Sequence, residues 1–423
     1  MLRFKNVYLI PVITFISLLV ALYLEEDTLG GGKEDYEYHI KYFLEFSDNF
    51  YKAFIEFGSN QESSSVRNSP IFYMIFSIFL KIGISLEGLK LINLLIMVPF
   101  FIFFFKCLEI KYSQIDLETK LILFSILFLS PTIRTLLIWP YPLLWALCFF
   151  LISIYFFLNF EKTKNFNEKI NFACFNLIFL AISAYFTPNF SVFSIFFTYR
   201  FFLFYRFKKE IFIIILSNII LALPAIYFII SKDYYLFNST VGGVENYIKY
   251  NLSNKIIIIS SMCFLFFLPY IKFKELIYKM SQNFKLDNIF FILSFFICIN
   301  LYFYNLDLGP NNSGGGLFYR LSQLIFNNSL ILFLIFIFCL YLFKHVELYN
   351  LNNILIFFIL VFYNLQFTIY YKYFDPLIFF IFLFMIKFKK NENFNIKKIS
   401  KKYYLLYLIF LSLNFSKQFV VYY

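Results

Sequence analysis

Long apolar runs recur from one end of this chain to the other, and they constrain its fold more than any other feature. A helix needs about 20 apolar residues to cross the hydrocarbon core of a membrane. The runs fall at residues 7–24, 70–84, 89–105, 121–138, 140–158, 172–188, 190–205, 211–231, 255–271, 287–304, 322–343, 352–369, 375–387 and 403–420. Only 15% of the residues are charged, whereas soluble domains carry about 25%. The sequence therefore predicts an all-α fold, a polytopic transmembrane helical bundle that forms one domain over residues 1–423.

The connections between the runs differ in charge, and this difference predicts the orientation of the bundle. Lys and Arg accumulate near the N-terminus and in four connections, at residues 205–210, 272–285, 344–345 and 387–402. Because cytoplasmic loops carry an excess of Lys and Arg, these segments are expected in the cytoplasm. The net charge of +12 is then explained by membrane topology, and no nucleic acid is expected as a partner. The segments expected outside are 25–69, 232–254, 305–321 and 370–375.

The number of crossings follows from the same scheme. Residues 25–69 are expected outside and residues 106–120 inside, so the chain between them must cross an odd number of times. That stretch holds two apolar runs, of which 70–84 is short for a span. The run 70–84 is therefore expected to be re-entrant or interfacial, although a span stays open. The count is about 13 crossings, with the N-terminus cytoplasmic and the C-terminus outside.

The first outer loop, residues 25–69, is the longest connection on the predicted outer side and is acidic. Apolar residues recur in it at spacings of three and four. These residues are Tyr36, Ile40, Phe43, Leu44, Ala53, Phe54 and Phe57. Such spacing predicts an amphipathic segment of one or two helices that lies on the outer membrane surface. A solvated acidic loop with a surface helix is the alternative. The glycines of "LGGGK" predict a hinge before this segment.

Several side chains on the predicted outer face could carry chemistry. His39 follows Asp35 by four residues, so the two share a helix face and form either an acid/base pair or a surface ion pair. Three cations on the same side of the membrane, Arg134, Arg320 and Lys372, are candidates for binding an anionic phosphate. Lysine and arginine side chains that extend to the membrane interface are the alternative for each of these cations.

No metal or nucleotide motif is visible in the sequence. The six cysteines have neither metal-ligand spacing nor a disulfide pattern. Both glycine clusters lack the GxxxxGK[ST] arrangement of a phosphate-binding loop. No cofactor is therefore predicted, and the sequence leaves metal dependence unknown and a divalent metal open.

Four segments, in order, resemble the GT-C superfamily of integral membrane glycosyltransferases, which includes the protein O-mannosyltransferases and the aminoarabinose transferases that modify lipid A. The first is a single span leading into the acidic helix "KEDYEYHIKYFLEFSDN". The others are the proline-aromatic entry "RNSPIFYMIFSIFLKIGIS", the Ser-Pro turn and Pro-Tyr span start of "LSPTIRTLLIWPYPLLWALCFF", and the late entry "YYKYFDPLIFF". The resemblance covers roughly the whole chain and is strongest over residues 7–160.

The resemblance implies a glycosyltransferase whose donor is a sugar linked to polyprenyl phosphate. It implies an outer-loop carboxylate as the base, for which Asp35 is the first choice and Glu34 and Glu37 are the alternatives. Here the order is Glu-Asp, where the family has Asp-Glu or a lone Asp. Arg134 and Lys372 lie in matching motifs as phosphate-binding residues, and Arg320 is added by topology. His39 is retained as a substrate-binding candidate.

The implied setting is the cell envelope, at the inner (plasma) membrane of a bacterium, among membrane lipids. The acceptor is a lipid, a glycan or a protein, used at the periplasmic or lumenal face. Residues 25–69 would form the catalytic loop and residues 70–423 the rest of the bundle. The alternatives are a polysaccharide polymerase or ligase, a polytopic transporter of lipid-linked glycans, and a non-catalytic membrane scaffold.

Overall fold

The computed structural model describes residues 8–28, 31–57, 68–112, 114–231, 252–271, 316–327, 329–345, 350–364, 369–388 and 395–421. In these ranges the chain forms α-helices with short 3-10 and π turns, and it forms no strand. The predicted all-α fold is confirmed at this level. Arg320 has a described backbone only, and the predicted run 287–304 lies outside the described residues.

The chain divides into two compact units, Met1–Ile248 with Tyr404–Tyr423 and Lys249–Tyr403. The helices of the first unit are α1 Leu9–Tyr23, α2 Gly32–Asp48, α3 Phe50–Glu56, α4 Ile71–Lys81, α5 Leu86–Leu95, α6 Met97–Lys111, α7 Leu117–Leu129, α8 Pro131–Ile138, α9 Pro142–Lys162, α10 Phe166–Phe186, α11 Phe193–Tyr205 and α12 Lys209–Ser231. The second unit holds α13 Leu252–Phe267, α14 Gly316–Phe326, α15 Leu330–His345, α16 Leu351–Tyr363 and α17 Leu377–Phe380. The last helix, α18 Ile396–Val421, has residues in both units.

Several described helices are long and apolar enough to cross a membrane by length and composition. They are Leu86–Lys111, in which α5 and α6 follow each other, and the helices Pro142–Lys162, Phe166–Phe186 and Lys209–Ser231. A fifth span results if α7 and α8 are counted together. In contrast, α4 has 11 residues and measures only about 16 Å, half the thickness of a hydrocarbon core of about 30 Å. The predicted run 70–84 is thus a short helix in the structure.

A sharp bend divides the predicted run 121–138 into α7 and α8, whose axes differ by 70°. The cause is local, because Pro131 disfavours the α conformation at the residue before it. Ser130 accordingly has an extended backbone, and its hydroxyl accepts a hydrogen bond from the N–H of Ile133. Ser130 therefore ends one helix and caps the next. Proline also begins α9, at Pro142, so α8 is a short helix bounded by prolines.

A buried amide side chain, that of Asn93, connects helices of the first unit. The Nδ2 of Asn93 on α5 donates to the carbonyls of Leu136 and Leu137, 2.8 and 3.1 Å away, at the end of α8. Its Oδ1 accepts from Trp145 Nε1 of α9 at 3.0 Å. Asn93 is fully buried, and this geometry uses both of its amide hydrogens and its oxygen. One side chain thus joins three helices.

One face of α2 packs on α4. Tyr36, His39, Phe43 and Phe46 are buried along this face at spacings of three and four residues. The ring of Phe43 stacks on that of Phe76 with centroids 5.0 Å apart. The first-loop helix is therefore an integral part of the packed first unit. Of the residues predicted for its apolar face, Tyr36 and Phe43 are buried, whereas Leu44 is exposed.

The start of α2 approaches α8 so closely that only glycine fits. A Cβ built on Gly32 would lie 2.3 Å from Thr135 Cγ2 and 3.2 Å from Trp139 Cδ1. The preceding Gly31 has φ +85°, in the left-handed region that glycine adopts without steric cost. The glycine cluster is thus needed for two separate reasons, a turn at Gly31 and a close approach at Gly32.

We predict that Gly32→Ala lowers the free energy of unfolding by about 1–3 kcal/mol, since the methyl group has no space and the packing must shift. Gly31→Asn is the matched control, because its Cβ meets no atom within 4 Å and asparagine tolerates the left-handed region. The two variants are compared by reversible unfolding in mixed micelles. Equal stability of Gly32→Ala and the wild type would disprove the close approach.

Candidate functional site

The three acids of "EED", which follow α1 after Leu24, each bind different partners. The central residue, Glu26, forms an ion pair with Arg134 of α8, in which Oε2 lies 2.6 Å from Nη2 and Oε1 lies 2.9 Å from Nε. The Arg134 side chain is 2% exposed and that of Glu26 is 8% exposed. This is a bidentate and buried contact, the strongest geometry for an arginine–carboxylate pair.

The other donors of Arg134 are also used. Its Nη1 donates to Ser17 Oγ at 3.1 Å and to the Phe128 carbonyl at 3.2 Å. Its Nη2 donates to the Ser17 carbonyl at 3.1 Å. A guanidinium has five N–H donors, and with the two bonds to Glu26 all five are satisfied. The side chain therefore joins α1, the start of the first loop and the bend between α7 and α8.

Asp27 fixes the first turn of α2. Its Oδ2 accepts hydrogen bonds from the backbone N–H groups of Gly32, at 2.8 Å, and Lys33, at 3.3 Å. The first N–H groups of a helix have no partner within the helix, and a carboxylate also interacts favourably with the positive end of the helix dipole. Asp27 thus caps α2 although it precedes the glycine turn, and its hydrogen bonds join the two ends of that turn.

Glu25 pairs with lysines at the edge of the same region. Its carboxylate lies 3.0 Å from the ammonium of Lys90 and 3.7 Å from that of Lys33. The hydrogen bond from Lys90, together with its charge, holds the pKa of Glu25 below the usual range. The Lys90 ammonium also lies 4.7 Å from the ring centroid of Trp139. Lys90 therefore connects α5 to both the acidic stretch and Trp139, the residue after α8.

The predicted catalytic acids lie on the first turns of α2. Glu34 and Glu37 are exposed and Asp35 is half-buried. Glu34 and Asp35 are in the first turn, where negative charge stabilises a helix. The structure therefore brings all three carboxylates onto one capped helix. Within the described part of the chain, Arg134 donates no hydrogen bond to any of them.

His39 lies beneath α2, with 3% of its surface exposed. Its Nδ1 is 2.9 Å from the hydroxyl of Tyr73 on α4. Its ring meets the ring of Tyr141 edge to face, with centroids 4.9 Å apart. His39 thus joins α2 to α4 and to the residue before α9, and it supports the acids from the buried side of the helix.

The other two predicted cations belong to the second unit. Lys372 lies in the 3-10 turn Tyr371–Tyr373 and is half-buried. Its ammonium lies 5.8 and 5.9 Å from the ring centroids of Tyr370 and Tyr373. Arg320 falls within α14, and its side chain is outside what the structure describes. Their contact with a phosphate stays a prediction.

Several residues that hold the site together were not singled out by the sequence. These are Glu25, Glu26, Asp27, Lys90 and Asn93. Their one visible signal is position, since three consecutive acids follow an apolar run, and Lys90 and Asn93 interrupt another one. A polar residue inside an apolar run indicates an internal partner. In the described ranges no three His, Cys, Asp or Glu side chains could together hold a metal ion.

We predict that Glu26→Gln and Arg134→Met each lower the free energy of unfolding by about 3–5 kcal/mol, because each leaves its partner buried without an opposite charge. The double variant Glu26→Leu with Arg134→Met should recover most of this loss. Amide hydrogen exchange along α2 should rise in the single variants. Reversible unfolding in mixed micelles and exchange measured by mass spectrometry test both expectations.

The pair formed by Lys120 and Glu109, whose carboxylate side chain is 56% exposed, is the matched control. Glu109→Gln should change stability by less than about 1 kcal/mol, because water screens an exposed pair. Single Glu26 or Arg134 variants as stable as Glu109→Gln would contradict the role assigned to the buried pair.

The chain was compared with family models, curated proteins and solved structures as a whole. None of the three finds a match. The resemblance to the GT-C superfamily therefore rests on the sequence segments, and the site is interpreted from its own geometry.

Proposed function

We propose that this chain is an integral membrane glycosyltransferase that moves a sugar from a polyprenyl-phosphate donor to a lipid, glycan or protein acceptor. The single observation that supports this function best is the rigid attachment of α2. Asp27 caps that helix, Gly32 packs against α8, and the buried Glu26–Arg134 pair ties the preceding loop to α1 and α8. A reaction that needs a positioned carboxylate requires such a support.

In the proposed reaction the carboxylate of Asp35 accepts the proton of an acceptor hydroxyl or amine. The acceptor oxygen or nitrogen forms a bond to the anomeric carbon as the bond from that carbon to the phosphate oxygen breaks. The electron pair of the broken bond leaves with the polyprenyl phosphate. Direct displacement inverts the anomeric centre. Glu34 and Glu37 are the alternative bases, one position before Asp35 and two positions after it.

The leaving phosphate gains negative charge, and cations near it would lower the barrier. Lys372, Arg320 and Arg134 are the proposed cations. The described bonds of Arg134 use all five of its donors, so it would act on a phosphate through its charge or after releasing Glu26. This favours a positioning role for Arg134.

The proposed setting is a bacterial inner membrane, in which the chain makes about 13 crossings. The N-terminus would be cytoplasmic and the C-terminus outside, and α2 would lie at the outer membrane surface. The long described helices and the apolar composition support membrane insertion. A donor with a polyprenyl tail is itself a membrane component, so an enzyme that uses it is expected within the membrane.

We predict that Asp35→Asn lowers sugar transfer by about 10²–10⁴-fold, the usual contribution of a general base. The assay uses purified protein in phosphatidylcholine vesicles with a panel of radiolabelled polyprenyl-phosphate sugars, and it follows release of the sugar from the lipid. Asp48→Asn is the matched control, because Asp48 is an exposed carboxylate at the far end of the same helix. It should transfer sugar at the wild-type rate.

Two results would defeat the proposal. One is a folded wild-type protein that consumes no member of the panel, and the other is full activity in the Asp35→Asn, Glu34→Gln and Glu37→Gln variants alike. Movement of intact lipid-linked sugar across the vesicle membrane, without cleavage, would instead support a transporter.

A further inference from the structure

The turn between α11 and α12 has a backbone that arginine rarely adopts. Arg206 has φ +51° and ψ −122°, and the N–H of Lys208 donates to the carbonyl of Tyr205 at 3.1 Å. These values match a type II′ turn, whose second residue has a positive φ and is commonly glycine, asparagine or aspartate. An arginine is strained in this conformation, and backbone strain of this kind is concentrated at functional sites. The groups around Arg206 therefore indicate what its side chain does.

This turn packs against the connection between α9 and α10. The ammonium of Lys208 lies 5.1 Å from the ring centroid of Phe166, the first residue of α10, and that ring centroid lies 5.5 Å from that of Tyr205. The two connections and the helix ends beside them carry five cations, all exposed, which are Lys162, Lys164, Arg206, Lys208 and Lys209. These five residues form one surface, here called the basic surface, to which two parts of the chain contribute.

The acids near these two connections leave the basic surface positive. Glu161 forms an ion pair with Arg200, and Glu210 is only 8% exposed. Glu168 is exposed, but its carboxylate accepts hydrogen bonds from two side chains of the α9–α10 connection. Within the described ranges none of the five cations forms an ion pair with an acid. The basic surface is therefore complementary in charge to an external anion.

An exposed aromatic ring accompanies these charges. Phe207, the residue after Arg206, is 83% exposed, and its ring meets that of Phe202 edge to face, with centroids 5.6 Å apart. The basic surface also lies at the ends of α9, α10 and α12, which are long and apolar enough to cross a membrane. The ends of spanning helices lie at the level of the lipid head groups, where aromatic rings are enriched and basic residues attract anionic lipids.

A soluble polyanion would match only the charges of the basic surface, whereas an anionic lipid would match its charges, its exposed ring and its position at the helix ends. We propose that the basic surface binds the head group of an anionic phospholipid. The guanidinium of Arg206 would donate hydrogen bonds to the phosphate, and Phe207 would lie at the boundary between head groups and acyl chains. This proposal does not depend on the proposed sugar transfer and survives its failure.

The test is photochemical labelling of the purified full chain in phosphatidylcholine nanodiscs. The nanodiscs contain a small fraction of a photoactivatable lipid, either phosphatidylglycerol or phosphatidylcholine with the same acyl chains, and labelled peptides are located by mass spectrometry. Phosphatidylglycerol should label residues 162–166 and 202–209 several-fold more than phosphatidylcholine does. In Arg206→Gly the labelling by phosphatidylglycerol should fall about fivefold, since each basic residue near an anionic membrane surface contributes about 1 kcal/mol.

The same variant tests the strained turn. Glycine adopts a positive φ without steric cost, so Arg206→Gly should withstand the same or a higher denaturant concentration than the wild type. Its weaker labelling would then not result from misfolding. Lys52→Gln is the matched control, because it removes an exposed positive charge from α3 in the first loop. It should leave the labelling of the basic surface at the wild-type level.

Several outcomes would overturn the proposal. They are equal labelling by the two lipids, undiminished labelling in Arg206→Gly, and an equal decrease in Lys52→Gln. Each would leave the five cations with the role of orienting the chain in the membrane. Displacement of phosphatidylglycerol by a single-stranded oligonucleotide would overturn it in favour of a nucleic acid. If Arg206→Gly does not fold, the role assigned to Arg206 is wrong, and the comparison of the two lipids on the wild type decides whether the surface binds lipid.

Discussion

The first unit depends on one buried contact, the bidentate pair between Glu26 and Arg134. Its components come from segments 108 residues apart, and the arginine also binds α1 at Ser17 and the last turn of α7 at Phe128. A buried pair of this kind adds little net stability compared with apolar packing, but removing one member is costly. Its effect is therefore to select one arrangement of the first loop over others. The neighbouring acids favour the same arrangement of the loop, because Glu25 pairs with Lys90 of α5 and Asp27 caps α2.

Much of the fold could be predicted from hydrophobicity, because helices are the spanning elements that satisfy their own backbone. What the runs could not reveal is where a helix breaks. The run 121–138 is mostly apolar, and its average hydrophobicity shows no break. Pro131 nevertheless divides it into two helices at Ser130. The run 322–343 breaks near Asn327, whose φ of +48° lies in the left-handed region. Such breaks depend on single residues, and an average over about 20 residues conceals them.

The candidate site was predictable in part. The spacing placed Tyr36 and Phe43 on an apolar face, and both are buried, because periodicity is a local property. Leu44, placed on the same face, is exposed, and the buried His39 and Phe46 were not part of the predicted face. The partners of Glu26 and Asn93 were not predictable, since pairing across many residues leaves no local pattern. Arg134 was expected to bind a phosphate because it is a cation on the predicted outer side and lies in a segment that resembles the GT-C superfamily. In the structure two of its donors bind Glu26, one of many acids in the sequence, and the other three bind Ser17 and the Phe128 carbonyl.

Because Gly32 has no side chain, its contact with α8 determines the direction in which the acids of α2 point around the helix axis. Each residue turns an α-helix by roughly 100°, so the contact of Gly32 with Thr135 fixes the rotational phase of everything that follows. One residue inserted or removed between Gly32 and Asp35 would leave the helix intact and turn the carboxylate by more than a quarter of a circle. The phase of α2 is thus set at its first residue, where a hydrogen atom stands in place of a methyl group.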